Sequence, residues 1–294
     1  MAHVVTSVAE VPAAIQAAGR RPPCRRVLMA SPGHFKVESA INPWMRDEQG
    51  ELNRVDTARA AEQWRALRAA YERIAIRVDV IDAPVGLPDF CFAANQSLAL
   101  PEAVVLSRMA NEERRREVPY FEHWYREHGY RLLLLPDEIS RFEGTGDAIL
   151  HPGLRLIWGG IGPRTEEAVW HFIARETGTD VIALRLSDPR FYHLDTCLCL
   201  LDERSALWVP AAFDAASRAL IEAAFTRLHA VSEADAANFA CNAHCPDARH
   251  VLIQQGSSKT VAWLQQAGFV PLELDTGEFM KSGGSVFCLK QELP

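Results

Sequence analysis

The chain reads as an α/β protein built from repeated strand-strand-helix-strand units around an axis, and three observations predict that class. About five segments carry apolar residues at helical spacing, short β-rich runs stand in groups between them, and no Gly-x-Gly-x-x-Gly or P-loop joins a strand to a helix. A chain of 294 residues with 48% hydrophobic content can bury a full core as one large domain. Residue-level similarity between the units is weak, so a single doubly wound sheet stays open as the competing arrangement.

Residues 1–24 end in Gly19-Arg20-Arg21-Pro22-Pro23, a polar, proline-broken lead-in that predicts a frayed tail ahead of one domain over 25–294. Val27-Leu28-Met29 is the first apolar strand. Trp64, Leu67, Tyr71 and Ile74 fall on one face of a helix over 56–74, and Arg77–Ile81 then reads as a strand. Further helices are predicted at 114–128, 165–177, 215–228 and 257–267. Further strands are predicted at 98–107, 131–135, 155–158, 180–184, 195–209, 250–254, 271–274 and 285–289.

The net charge of −7 provides no field for a polyanion, and the longest basic run, Arg114-Arg115-Arg116, follows Glu112-Glu113. Nucleic acid is therefore not an expected partner. No stretch reaches the ~18 apolar residues of a membrane span, and Met1 to Pro12 lacks the basic-then-apolar plan of a signal peptide, which predicts a cytoplasmic protein. The odd count of seven cysteines argues against a secreted disulfide framework.

Three segments carry the chemistry. Gly277 to Cys288 includes Gly283-Gly284, a turn that lets backbone approach a ligand closely and delivers Cys288 at the start of a short apolar strand. A small buried strand cysteine is the plainer alternative. His193 precedes Asp195 by two residues, so on a strand both face one ligand. Glu143 and Asp147 flank Gly144 and Gly146 in an acidic turn, where solvated carboxylates are the usual case. Asp89 lies among Phe90, Cys91 and Phe92, and a buried acid needs a cation or several donors. Cys197-x-Cys199 and Cys241-x-x-x-Cys245 around His244 have some ligand character, but the paired spacings of structural zinc are missing, so no metal is assigned.

Together with Asn42 in Ile41-Asn42-Pro43-Trp44-Met45 and Arg164 in Gly162-Pro163-Arg164-Thr165, these motifs resemble the guanidine-modifying penteins. That superfamily holds dimethylarginine dimethylaminohydrolases, arginine deiminases, arginine dihydrolases and amidinotransferases. The resemblance runs from about Val27 to Leu289 and implies a five-bladed β/α propeller with its active site in a central channel. It implies Cys288 as nucleophile, His193 as proton shuttle and Glu143 as the acid that orients His193 and accepts from the guanidinium. Asp195 would bind guanidinium nitrogens, as in the deiminases; the dimethylaminohydrolases generally lack that second acid. Arg164, and by register Arg114, would bind a substrate carboxylate, and Asp89 would match an acid of the guanidinium site. Where deiminases place an aspartate, Asn95 offers a neutral amide, which together with Asn42 is similar to the arginine dihydrolases; an Asn at a turn is the plainer alternative.

The chemistry fits such a substrate. A guanidinium stays protonated at neutral pH and its five N–H donors want anionic acceptors, while its carbon is open to a thiolate. An imidazole then protonates the departing amine and later takes a proton from water. The predicted function is a Cys-dependent hydrolase of arginine or an arginine derivative that works without a cofactor, ranked as arginine dihydrolase, dimethylarginine hydrolase, then deiminase. Transfer of the amidino group to an amine is the second class. A non-catalytic binding pentein would lack the nucleophile, and a papain-like hydrolase would carry its cysteine early in a Cys-Gly-x-Cys-Trp context. The partner is a small guanidine, and a homo-oligomer is compatible with the sequence.

Overall fold

The computed structural model describes residues 2–294. β1 (Val4–Val5) and α1 (Val11–Ala17) precede β2 (Arg26–Ala30), α2 (Thr57–Arg73) and β3 (Arg77–Ile81). β4 (Ser97–Ala99), β5 (Val104–Leu106), α3 (Glu112–Arg115), α4 (Val118–Glu127) and β6 (Leu132–Leu133) follow. Next come β7 (Ala148–Leu150), β8 (Leu156–Ile161), α5 (Ala168–Thr177) and β9 (Asp180–Arg185). A further group is β10 (Leu198–Leu200), β11 (Ser205–Trp208), α6 (Ala215–Ala224) and β12 (Arg227–Ala230). The chain continues through α7 (Glu233–Ala237), β13 (His250–Gln254), α8 (Ser258–Gln266), β14 (Val270–Leu274), α9 (Gly277–Met280) and β15 (Gln291–Leu293).

Among the described residues the strands divide into five small sheets, so the doubly wound alternative is not what forms. One plan recurs: a short strand pairs antiparallel with a middle strand, and a helix then leads to a third strand parallel to the middle one. β4-β5-β6, β7-β8-β9 and β10-β11-β12 follow it in chain order. In β15-β2-β3 the antiparallel strand comes from the far end of the sequence, with Gln291 opposite Leu28 and Leu293 opposite Arg26. Beside β13-β14 it shrinks to one bridge, His244 to Leu252.

The middle strands are the most apolar. Val27, Leu28, Met29, Ile157 and Trp158 are wholly buried, each such side chain stabilising the fold by about 1.5–3 kcal/mol. Helix ends are set locally: Asp56, Asp214 and Ser232 accept from backbone N–H groups as N-caps, and Gly178 ends α5 at φ 65°. No helix among the described residues is long and apolar enough to cross a membrane.

Several expected elements differ. The lead-in expected to fray holds β1, which joins β9 in parallel, and α1; Val5 and Val11 are fully buried. The helix expected over 114–128 is split into α3 and α4, with Pro119 in the first turn of α4. The single strands expected over 98–107 and 195–209 are each hairpins. Residues 285–289 form turns rather than a strand, and Leu194–Thr196 is a 3-10 turn with His193 at its N-cap, so His193 and Asp195 do not share a strand face.

Candidate active site

Asn42, Asp89, Asn95, Arg114, Arg164, His193 and Cys288 line one small cavity, with Tyr192 and Phe92. Glu143 and Asp195 complete it by direct bonds to His193 and Cys288. All the residues proposed for catalysis or substrate binding are thus gathered, although they span 42 to 288.

Cys288 is 3% exposed and lies in the turn before β15. Its Sγ donates to Asp195 Oδ2 at 3.2 Å and accepts from Asn242 Nδ2 at 3.1 Å. Burial, reinforced by the Asp195 carboxylate, raises the thiol well above its ordinary value, so the resting sulfur is protonated. Burial likewise pushes Asp195 up to about 6. Its Oδ1 is buried with no protein partner. Gly283 makes the close approach possible: at φ 85°, a Cβ there would stand 2.7 Å from the Tyr192 hydroxyl and 2.8 Å from Asn42 Oδ1. The Tyr192 hydroxyl in turn donates to the Gly283 carbonyl at 2.6 Å.

His193 Nε2 meets Glu143 Oε2 at 2.8 Å, and Asp147 Oδ2 stands 4.0 Å from the same nitrogen. Burial alone would raise Glu143, but His193 and Arg164 outweigh it and hold the carboxyl down at about 2. Asp147 is raised by burial, accepts from Thr165 Oγ1 at 2.6 Å and the Leu194 N–H at 3.0 Å, and so anchors the turn that carries His193. The turn between the two acids requires Gly144, at φ 54°, where a Cβ would meet the Ser97 and Ala94 carbonyl oxygens at 2.6 and 2.7 Å.

Asn95 Oδ1 accepts from Arg114 Nη1 at 2.9 Å, which turns Nδ2 toward His193 Nδ1, 3.5 Å away. Arg114 is 4% exposed, and Glu117 holds its Nη2 at 2.8 Å; despite burial, that partner raises the guanidinium further. Gln96 supports Glu117 from behind. Asp89, raised by burial, accepts from Ser282 Oγ at 3.1 Å. Asn42 caps the 3-10 turn Pro43–Met45 through the Trp44 N–H and donates to the Ser282 carbonyl at 3.0 Å. Arg164, 5% exposed, donates from Nη1 to both Glu143 oxygens at 3.2 and 3.1 Å and from Nη2 to the Ile41 carbonyl at 2.6 Å, with Tyr192 stacked 5.1 Å beneath. Neither arginine is the ordinary surface residue that composition alone would allow.

Asn242 and Glu117 are site residues that sequence reasoning missed. A larger cavity, lined by Arg21, Cys24, Cys199, His244 and Glu292 among others, contains neither Cys288 nor His193. Cys24, His244 and Glu292 are the one converging set of metal-ligand types among the described residues, and Arg21 and Lys290 already face Glu292. Cys241 and Cys245 are not part of that set. What the first cavity can do follows from its parts: a thiol attacks an electrophilic carbon, carboxylates hold N–H donors around that carbon, and an acid-oriented imidazole moves protons.

A family model described as N,N dimethylarginine dimethylhydrolase, eukaryotic, matches residues 31–293. The chain is 42% identical over 267 residues to the bifunctional arginine dihydrolase/ornithine cyclodeaminase ArgZ of Synechocystis sp., covering 90% of this chain and 37% of that protein. It is 36% identical to the N(G),N(G)-dimethylarginine dimethylaminohydrolase of Mycobacterium tuberculosis, covering 94% of this chain and 88% of the relative. The crystal structure of the N-terminal domain of ArgZ bound to substrate superposes with a TM-score of 0.85 at 40% identity, covering 91% of this chain and 97% of that domain. The chain thus spans well under half the length of ArgZ as a whole.

Proposed function

The chain belongs to the N,N-dimethylarginine dimethylhydrolase family, and we propose that within it this protein is an arginine dihydrolase, converting arginine and two waters to ornithine, two ammonia and carbon dioxide. The five strand-strand-helix-strand sheets are read as the five blades of a pentein propeller, with the Cys288 cavity in its channel.

The observation that carries the reading is Asn95. Its amide stands where a citrulline-forming enzyme of the superfamily places an aspartate, and Arg114 fixes it with Nδ2 toward the reaction. The arginine guanidinium enters with its N–H donors on Glu143 and on the unpartnered Oδ1 of Asp195. Its positive charge favours the Cys288 thiolate, which attacks the guanidino carbon; His193 protonates the departing ammonia and then takes a proton from the water that cleaves the thiouronium adduct. The resulting ureido group is neutral. Asn95 Nδ2 donates to its oxygen, where an aspartate could only repel. A second attack by Cys288 releases the second ammonia, and hydrolysis of the thiocarbamate frees the thiol and leaves the Nδ-carboxy derivative of ornithine, a carbamic acid that loses carbon dioxide to give ornithine. Similarity to the dihydrolase domain of ArgZ supports this order of products.

Product analysis with arginine and with dimethylarginine tests the reading. Ornithine with two equivalents of ammonia is expected from arginine. Citrulline as the end product, dimethylamine at a higher kcat/KM than arginine supports, or an amidino product that appears only with an added amine would each assign the chain to another member of the superfamily.

A further inference from the structure

Asn242 is wholly buried, and its bonds converge on the nucleophile. Oδ1 accepts from the Ser285 N–H at 3.0 Å and the Cys288 N–H at 3.3 Å; Nδ2 donates to the Asp195 carbonyl at 3.0 Å and to Cys288 Sγ at 3.1 Å. Its backbone carbonyl accepts from Phe287 N–H at 2.9 Å, and its own N–H is used by Phe239 at 2.9 Å. Among the described residues no other side chain bonds both the sulfur and the backbone of the turn that presents it. We infer that Asn242 is a further catalytic residue, the amide donor that holds the Cys288 thiolate and, through its other end, fixes the turn that aims it.

The physical reason is an imbalance around the sulfur. Asp195 is an acceptor and opposes a negative sulfur, whereas Asn242 Nδ2 is the side-chain donor aimed at it. A thiolate formed in a buried site without a donor would bear the full desolvation cost, and a hydrogen bond to a charged group offsets part of it. Asn242 cannot rotate its amide without placing Oδ1 against the sulfur and Nδ2 against two N–H groups, so the donor orientation is locked by the turn.

This inference rests on Cys288 being the nucleophile. Asn242→Asp separates aiming from donation: the carboxylate still accepts from Ser285 and Cys288 N–H, but the side-chain donor to Sγ is gone. Above pH 7, alkylation of Cys288 by a haloacetamidine, read by peptide mass spectrometry, should slow on the order of tenfold, and its pH midpoint should rise. kcat should fall with little change in KM. If Asn242→Asp does not fold, as read by circular dichroism, Asn242→Ser, whose hydroxyl is too short to span both contacts, takes its place in the same assay. An unchanged alkylation midpoint with kcat within twofold of the parent in a folded variant would overturn the inference. A parent protein whose Cys288 resists labelling would instead overturn the nucleophile, and this inference with it.

Discussion

Cys288 Sγ and Asp195 Oδ2 lie 3.2 Å apart with the thiol as donor, so in the resting state the proposed nucleophile is hydrogen-bonded to the acid proposed to bind the substrate. Burial raises the hold of both on a proton, Asp195 raises that of the thiol further, and a bound guanidinium, by charge, relieves both. Cys288→Ser should therefore abolish turnover while leaving the fold intact, because a hydroxyl cannot be ionised by that relief. More than a few per cent residual rate, measured as ammonia release, would remove Cys288 from the reaction.

The same pair sets a pH dependence whose sign is defined. Asp195 moves from 3.8 to about 6 on folding, so below 3.8 the carboxyl is protonated in both states, and above 6 the native state carries the full cost of its ionisation. Asp195→Asn should stabilise the fold by up to about 3 kcal/mol above pH 7, at 1.36 kcal/mol per unit, and the gain should vanish as pH falls toward 4. Thermal unfolding across that range reads it, and a gain independent of pH would contradict it. Turnover of arginine by the variant should be lost.

His193→Gly should accumulate a covalent adduct on Cys288 from a substrate with a good leaving group, such as an S-alkyl thiocitrulline. Attack needs the thiolate, but hydrolysis needs the imidazole that Glu143 orients at 2.8 Å. Intact-mass spectrometry detects it directly. A variant that binds substrate without ever showing the mass increase would take the hydrolytic role from His193.

Arg164→Lys should raise KM for arginine far more than for agmatine, which lacks the carboxylate. Nη2 donates to the neutral Ile41 carbonyl at 2.6 Å, an acceptor that a substrate carboxylate outcompetes, and a lysine cannot form the fork. Equal damage to both substrates would mean that Arg164 serves Glu143 alone.

Asn95→Asp should shift the product from ornithine toward released citrulline. An aspartate keeps the acceptor for Arg114 Nη1 but loses Nδ2, so the cationic guanidinium is still held while the neutral ureide escapes. Chromatography of the products settles it: an unchanged ornithine yield would exclude Asn95 from the second step.

Cys288, His193 and Glu143 were legible because each stands in a short motif whose glycines have local jobs, as the close contacts at Gly144 and Gly283 make plain. Asn242 was not, because its partners lie 43 to 47 residues away and no local pattern marks an amide that bonds a distant turn. The same bonds explain the misread strand at 285–289: Ser285-Val286-Phe287 is apolar enough for a ladder, but the N–H groups of Ser285, Phe287 and Cys288 are taken by Asn242. The recurrent helices were read well because 3.6-residue periodicity survives over ten residues or more, whereas β1 has only Val4 and Val5 to show. Within the site, sequence could place Arg114 and Arg164 near a carboxylate but could not show that Glu117 and Glu143 already engage them.

β15 pairs with β2, so the sheet nearest Cys288 is closed by segments far apart in the sequence, Gln291 against Leu28. Such pairing is slow to form, because a long loop must be ordered before the contact returns any stability. Cys288 sits three residues before that last strand. A nascent chain therefore completes this pairing only after Gln291–Leu293 has left the ribosome, long after Arg26–Ala30.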